Sequence, residues 1–579
     1  MSMKISEQLV KTLEENGVER IYAVTGDSLN AVNEAVSKSD KIRWIHVRHE
    51  ETGAYAAGAE AQLSGKLACC AGSCGPGHVH LLNGLYDAHR SGASVLAIAS
   101  TIPTLQFGME YFQETHTGKL FDDCSYYNEV ANTPQQLSRM LQSAIQTSIS
   151  RKGVSVIGLP GDLSQDASGQ VNTSTHNYPV ESSVCPSQEE LELLARLLNE
   201  SKKITLFCGM GCKDAHEELV ALSSRLQAPV VYTFKSKMAI QYGMPHEVGL
   251  TGLLGMPSGY YSMQDSEVLL MLGTDFPYDA FIPEDVWTAQ VDIRPERLGR
   301  RTKVDMGISG DVRTTLRALL PLLEQKSDDG FLRKQLHRYS NVRKQLDLFA
   351  GHPGKVNEIQ PEHVMSLVDQ LADKEGVFTV DTGMTCVWAA RYLHAGEGRQ
   401  MLGSFNHGSM ANALPQAIGA ALRCPDRQIV ALCGDGGLSM CLGDLATIMQ
   451  YKLPVKLIVF NNRSLGMVKL EMAVAGLLDT ETDMHNPDFV QVAASMGIEG
   501  ITVRDPKDLE PALKRAFSSD QAILVNVMTN PDALAMPPKV ELGQMKGFAE
   551  MMYKMLIHGR TKEFKEIIAD NYKHLKEAF

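Results

Sequence analysis

Asp435 and Asn462 carry the side chains of this sequence most suited to sharing a cation. Residues 428–433 are mostly apolar and bounded by Pro425 and Gly434, so they read as a buried parallel strand. Gly434-Asp435-Gly436 is expected to make a tight turn at its carboxyl end. A second apolar strand, 455–460, runs into Asn461-Asn462, which would set Asp435 and Asn462 at the ends of adjacent strands. Open α/β sheets bind ligands along that edge. One carboxylate and one amide oxygen suit a hard cation such as Mg²⁺, with waters and phosphate oxygens completing the shell. Gly436 and Gly437 would let backbone N–H groups approach a diphosphate. Gly-Asp-Gly alone is common in turns; the reading rests on the whole unit of strand, Gly-Asp-Gly, helix, strand and Asn-Asn.

Glu50 is the second candidate. It follows a strand at 42–47 and opens a helix rich in small residues, 52–63. A first-turn glutamate can simply interact with the helix dipole, and locally that is the simpler explanation. Phe112 could be a buried aromatic or part of a site, and both readings stand.

These residues need a scaffold, and the chain supplies alternating helix and strand patterns. Strands are expected at 20–24, 42–47, 67–71, 95–99 and 154–159, then at 204–207, 229–233, 268–272 and 289–293, and finally at 377–380, 428–433, 455–460 and 522–528. Strands spaced by helices mean parallel βαβ units. The expected fold is therefore α/β, with three consecutive parallel-sheet domains at 1–180, 181–335 and 336–530 and a tail at 531–579. A polar, Pro-containing linker spans 179–186, and a charged, helix-like one spans 336–360. In the second block Asp292 stands at a strand end, where an acid can meet a cofactor hydroxyl. No clean Gly-x-Gly-x-x-Gly accompanies it, so a spacer domain remains open.

Length and composition exclude other classes. A chain of 579 residues is too long for one core. A net charge of −13 without a basic block argues against nucleic-acid binding. No stretch approaches the roughly 18 apolar residues of a membrane span. The 11 cysteines have no Cys-x-x-Cys pair, and Cys70/Cys74 and Cys208/Cys212 are weak metal candidates, so reduced thiols are expected. The N-terminus has no apolar signal region. In the tail, Phe564, Ile567, Ile568, Leu575 and Phe579 share one helical face, with Lys562, Lys565, Lys573 and Lys576 elsewhere. Such a helix can dock on its own protein or lie at a bilayer surface.

Several segments together resemble the pyruvate oxidase branch of thiamine diphosphate enzymes. They are Val24-Thr-Gly-Asp-Ser-Leu-Asn30, Arg48-His-Glu50, Gly72-Ser-Cys-Gly-Pro-Gly77, Tyr111-Phe-Gln-Glu-Thr-His116, the run from Met401 to Asn412, and Gly434-Asp-Gly-Gly437. Thr251-Gly-Leu-Leu254, Thr274-Asp-Phe-Pro-Tyr278 and Asp292 carry the match through the middle block. Within that branch the chain is most similar to the bacterial quinone-linked pyruvate dehydrogenases.

The resemblance implies pyrimidine-binding, FAD-binding and diphosphate-binding domains in that order, and thiamine diphosphate, Mg²⁺ and FAD as cofactors. Glu50 would meet the aminopyrimidine ring. Asp435, Asn462 and the Ser464 carbonyl would hold the metal, and Gly408, Ser409, Met410, Gly436, Gly437, Leu465 and Gly466 would surround the thiamine cofactor. Thr251, Gly252, Leu253, Leu254, Thr274, Asp275, Phe276, Pro277, Tyr278 and Asp292 would hold FAD, and Phe112, Gln113, Met467 and Glu471 would line the substrate pocket. Pyruvate would be oxidised to acetate and CO₂, and a membrane quinone would take the electrons. A homotetramer is implied, with each thiamine site built between two subunits. The tail would bind phospholipid, placing a cytoplasmic protein peripherally on the inner face of the cell membrane. Met467 departs from the aromatic residue of the similar enzymes, and the tail sequence is its own. A phosphate-dependent pyruvate oxidase making acetyl phosphate, an acetolactate synthase-type carboligase, and a non-catalytic lipid- or partner-binding relative stay open. The tryptophan usual in acetolactate synthases is missing where Lys469-Leu470-Glu471-Met472 stands.

Overall fold

Runs such as Ala68–Gly72, Val95–Thr101 and Ile523–Met528 are buried along their whole length, as strands covered on both faces by helices must be. The computed structural model describes residues 3–168, 176–178, 183–533, 551, 554 and 555. It contains three six-stranded parallel sheets in sequence. The first joins β1 (Arg20–Ala23), β2 (Arg43–His46), β3 (Ala68–Gly72), β4 (Val95–Thr101), β5 (Tyr127–Val130) and β6 (Val154–Pro160), in the order β2-β1-β3-β4-β6-β5. The second joins β7 (Ile204–Cys208), β8 (Val230–Tyr232), β9 (Glu247–Leu250), β10 (Val268–Leu272), β11 (Trp287–Asp292) and β12 (Met306–Ser309), in the order β12-β11-β10-β7-β8-β9. A small hairpin, β13 (Gly354–Lys355) and β14 (Glu358–Ile359), precedes the third sheet. That sheet joins β15 (Val377–Val380), β16 (Gln400–Gly403), β17 (Ile429–Gly434), β18 (Lys456–Asn461), β19 (Glu499–Val503) and β20 (Ile523–Met528), in the order β16-β15-β17-β18-β20-β19.

The three-block α/β architecture is the one expected, but edge strands β5, β9, β12, β16 and β19 were not. Each is partly exposed, so its sequence lacks the continuous apolar run that marks a central strand. The charged stretch expected as a linker is largely the Gly330–Ala350 helix, docked on the second block. Lys334 and Arg338 meet Asp265, and Tyr339 donates to Glu247.

The first and third blocks meet along two helices of small residues. In the Glu50–Ser64 helix, residues 52–61 are buried without interruption. A Cβ at Gly419, on the Ala413–Arg423 helix, would lie 2.2 Å from the Ala56 carbonyl oxygen. The helices cross so closely that only glycine fits there. A Cβ at Gly84 would likewise strike Ala54 Cβ at 2.6 Å. Among the described residues no helix is long and apolar enough to cross a membrane. The tail helix expected at 561–579 lies outside the described residues.

Candidate active site

Asp435 and Asn462 do stand at the ends of neighbouring strands, with Gly434 of β17 paired to Phe460 of β18. The expected tight turn is absent. β17 passes directly into the Asp435–Met440 helix, with Gly434 in extended backbone as its N-cap. Gly436 and Gly437 are required for closeness, not for a turn. A Cβ at Gly437 would fall 1.7 Å from Asp381 Oδ2. One at Gly436 would meet Leu465 Cδ2 at 3.1 Å, Met484 Sδ at 3.3 Å and Met410 Sδ at 3.7 Å.

The Asp435 carboxylate is 3% exposed and held from three sides. Oδ2 accepts from the Arg463 N–H and from Asn486 Nδ2, each at 2.7 Å, and Oδ1 accepts from the Gly436 N–H at 3.0 Å. Burial nonetheless pushes this carboxyl above its ordinary range, against those bonds. A cation would relieve that desolvation. Asn462 Oδ1 accepts from the Ser464 N–H at 3.0 Å. Gly466 makes room for the Asn462 amide, since a Cβ there would lie 2.9 Å from Nδ2. Ser464 Oγ and Asn486 Oδ1 are buried without a hydrogen-bond partner among the described residues. Buried oxygens without donors, a carboxylate and a glycine floor form a donor set that fits a hard divalent cation and a diphosphate.

Two residues missed from the sequence organise this edge. Asn486 donates to Asp435 and, at 3.0 Å, to Asn461 Oδ1. Asp381 follows β15 and is 1% exposed. Its Oδ1 accepts from the Ala411 N–H at 2.8 Å and the Thr382 N–H at 3.1 Å. Burial pushes this carboxyl up to about 7. Ala411 has φ +80°, a strained conformation for a residue with a side chain, and the Asp381 bond stabilises it. That turn carries Met410 over Gly436. Asp381-x-Gly383 at a strand end was the available signal.

Glu50 is 7% exposed at the start of its helix, with His49 as N-cap accepting from the Glu51 N–H at 3.2 Å. His80 Nδ1 lies 3.0 Å from Glu50 Oε2, and the His49 and His80 rings stack at 4.4 Å. The three side chains bring ligand atoms within 4.8 Å of one another. His49 Nδ1 is already engaged by the Glu51 N–H and His80 Nδ1 by the Glu50 carboxylate, so these contacts orient the carboxylate. The segment before Glu50 is held by the third block. Asp444 accepts from the Arg48 N–H at 2.8 Å, and Tyr451 accepts from the His46 N–H at 2.7 Å. Gly77 leaves space beside the carboxylate, its Cβ position lying 3.1 Å from Glu50 Oε1. Glu50 and Asp435 share no hydrogen-bond partner among the described residues.

The remaining candidates divide. Gly408 has φ +75°, and Ser409 Oγ accepts from Asn83 Nδ2 at 2.9 Å, tying its loop to the first block. Phe112 is 77% exposed, which removes the reading of a buried core aromatic. Gln113 sits at φ +64° with Oε1 3.2 Å from Cys74 Sγ. Met467 is half-buried against the core, and Glu471 is exposed. In the second block Thr251 Oγ1 is buried without a partner among the described residues, and Gly252 has φ +99°. A Cβ at Gly252 would strike the Phe276 ring at 2.7 Å and approach Tyr278 at 3.7 Å. Leu253 and Tyr278 are exposed, while Thr274 and Asp292 are buried. Burial raises the Asp292 carboxyl above its ordinary range. An orphan hydroxyl, a glycine bend between aromatics and a buried strand-end acid fit a flavin nucleotide.

Comparison with known proteins bears on the whole chain. Residues 3–120 match the N-terminal TPP binding domain of thiamine pyrophosphate enzymes, 191–319 the central domain, and 381–527 the C-terminal TPP binding domain. A Bacillus subtilis (strain 168) protein named as thiamine pyrophosphate-containing, YdaP, is 35% identical over 96% of this chain and 97% of its own. Pyruvate oxidase of Lactiplantibacillus plantarum is 29% identical over 90% of this chain and 88% of its own. Chloroplastic acetolactate synthase of Arabidopsis thaliana is 28% identical over 91% and 81%.

Proposed function

Because this chain belongs to the thiamine pyrophosphate enzymes, we propose that it oxidises pyruvate to acetate and CO₂, using thiamine diphosphate, Mg²⁺ and FAD and passing electrons to a membrane quinone. The observation that carries the reading is the pairing of two buried carboxylates with different surroundings. Glu50 faces an imidazole at a helix start, and Asp435 lies among amide donors and unpartnered oxygens. The first suits proton exchange with a heterocycle, the second a cation.

Bound thiamine diphosphate supplies an acidic carbon able to add to a 2-oxo acid and stabilise the electron pair left by CO₂, and FAD supplies a two-electron acceptor. Glu50 holds the proton on the aminopyrimidine side, and His80 fixes the carboxylate's orientation. Asp435, Asn462 and Ser464 hold Mg²⁺, and Asn486 keeps Asp435 turned toward it. Met410, with Leu465 and Met484, supports the space above Gly436. Thr251, Gly252 and Asp292 hold FAD in the second block. Phe112, Gln113, Met467 and Glu471 select the substrate. Water enters as the acetyl acceptor, so pyruvate and water yield acetate, CO₂, two protons and two electrons.

The exposed Phe112 loop, with Leu105 at 88% and Met109 at 64% exposure, supports a site completed by a second copy in a homotetramer. The tail is assigned to a phospholipid surface, which places the enzyme on the inner face of the cell membrane. Acetolactate synthase-type carboligation is the second reading, favoured by the identity to the Arabidopsis enzyme. Anaerobic addition of pyruvate to protein holding all three cofactors decides between them. Bleaching of the flavin, recovery with a quinone and faster recovery with lipid vesicles are expected. Unchanged flavin with accumulating acetolactate overturns the oxidase reading.

A further inference from the structure

The loop from Thr104 to Glu114 is tied to the body of the chain at few points. Its start is held by Asp162, whose Oδ2 accepts from Thr104 Oγ1 at 2.7 Å. Beyond that the loop bonds to itself. Glu114 Oε1 accepts from the Gly108 N–H at 2.6 Å, and Oε2 accepts from the Tyr111 N–H at 3.1 Å. Glu114 donates its own N–H to the Tyr111 carbonyl at 2.9 Å. Among the described residues, two side chains of the first block bond to the far end of this segment. Cys74 Sγ lies 3.2 Å from Gln113 Oε1, and His78 Nε2 meets Thr115 Oγ1. A thiol is a weak donor, so His78 makes the stronger tie.

The surroundings of His78 fix which of its nitrogens donates. The residue is buried in the short Pro76–His80 helix, with its ring edge-on to Phe121 at 5.9 Å. Burial disfavours the imidazolium, so the ring is neutral near neutral pH. Nδ1 lies 2.7 Å from the Ser100 carbonyl oxygen, which can only accept, so Nδ1 carries the single proton. Nε2 is then an acceptor, and the Thr115 hydroxyl donates to it. Thr115 Oγ1 has no other partner among the described residues. Gly75 backs the same segment, since a Cβ there would lie 2.8 Å from Gln113 Cβ. Gln113 itself sits at φ +64°, a conformation that a residue with a side chain keeps only when its surroundings hold it.

We propose that His78 is a positioning residue for substrate selection, holding Phe112 and Gln113 in place through its bond from Thr115. The same short helix presents His80 to Glu50 and His78 to Thr115, so it sets the loop against the carboxylate that handles the proton. The inference rests on the reading above, in which Phe112 and Gln113 select the substrate. It adds a residue that touches neither substrate nor cofactor and acts on them through the loop. Loss of the Thr115 donor leaves Nε2 without its partner and the far end of the loop with the thiol contact alone.

The test uses the full-length protein with thiamine diphosphate, Mg²⁺ and FAD, and two variants. Thr115→Val keeps the shape and removes the donor, and Thr115→Ser keeps the donor. Chymotrypsin reads the loop directly, by cleavage after Tyr111 and Phe112. The valine variant is expected to be cut there about tenfold faster than wild type, because cleavage follows the population of the open loop. In anaerobic flavin bleaching, the pyruvate concentration giving half the maximal rate is expected to rise about five- to tenfold in that variant. The rate at saturation, hydrogen–deuterium exchange at the thiazolium C2 and Tm should stay as in wild type, and the serine variant should match wild type throughout. Faster cleavage with unchanged pyruvate dependence overturns the positioning role. So does a valine variant cut at the wild-type rate, or a serine variant as impaired as valine. A fall in Tm or flavin content without a shift in pyruvate dependence assigns the hydroxyl to the fold alone and also overturns it. Wild-type flavin that pyruvate does not bleach refutes the oxidase reading separately. The same pyruvate dependence is then read from acetolactate formation, and with neither activity the cleavage rates decide whether His78 holds the loop.

Discussion

Replacing Gly437 by alanine tests how the diphosphate edge is built. The new methyl carbon would lie 1.7 Å from Asp381 Oδ2, so the helix start or Asp381 must move. If Asp381 yields, its bonds from the Ala411 and Thr382 N–H groups are lost. Each bond to a charged acceptor contributes about 1.5–3 kcal/mol, so the substitution should cost about 3–6 kcal/mol. In a domain of this size each kcal/mol shifts the midpoint by about 2–4 °C, giving a fall of roughly 6–24 °C. Calorimetry of the cofactor-free protein should be run near pH 8, because Asp381 titrates at about 7. Two companions sharpen the result. Gly443→Ala meets nothing within 4 Å and should leave Tm unchanged. Gly436→Ala meets only flexible side chains, at Leu465 Cδ2, Met484 Sδ and Met410 Sδ. It should leave Tm nearly unchanged yet weaken thiamine diphosphate binding about tenfold or more, since the methyl occupies the approach to the backbone. A Gly437→Ala protein whose Tm stays within about 2 °C of wild type would refute the reasoning.

Glu50→Gln should slow hydrogen–deuterium exchange at the thiazolium C2 of bound cofactor by about 10²–10⁴-fold, and wild-type exchange in that variant would remove Glu50 from proton transfer. Asn486→Ala frees one side of Asp435 and should weaken Mg²⁺ about 10–100-fold in a metal titration of turnover; unchanged affinity would show that Asp435 needs no such orientation. Asp87 is buried, and its carboxyl is pushed up to about 6 from 3.8. The folded chain therefore holds a proton that the unfolded chain releases between those values, and stability from this group falls as pH rises from about 4 to about 6, by about 3 kcal/mol. Asp87→Asn should flatten that part of the Tm–pH curve, and an unchanged slope would assign it to other groups.

Much of the scaffold was legible because buried parallel strands are apolar without interruption. β15 is read directly as residues 377–380, and β17 and β18 differ by a residue at each end. β19 was invisible because four of its five residues are exposed or half-buried, so no continuous apolar run marks it. The Gly-Asp-Gly unit was located correctly and given the wrong shape. Glycines in a turn and glycines at a close contact read alike in one dimension, and only the 1.7 Å approach to Asp381 tells them apart.

Sequence alone determined the three α/β blocks, and it placed Asp435 and Asn462 at strand ends and Glu50 at a helix start, because periodicity and strand-end position are local properties. Tertiary structure decided what surrounds them. Asp381 and Asp435 are separated by 54 positions, and the Arg48 N–H finds its acceptor in Asp444, 396 residues away. It also showed that Phe112 projects outward. A side chain's chemistry is written in its type, but its desolvation and its partners depend on what the folded chain brings alongside it.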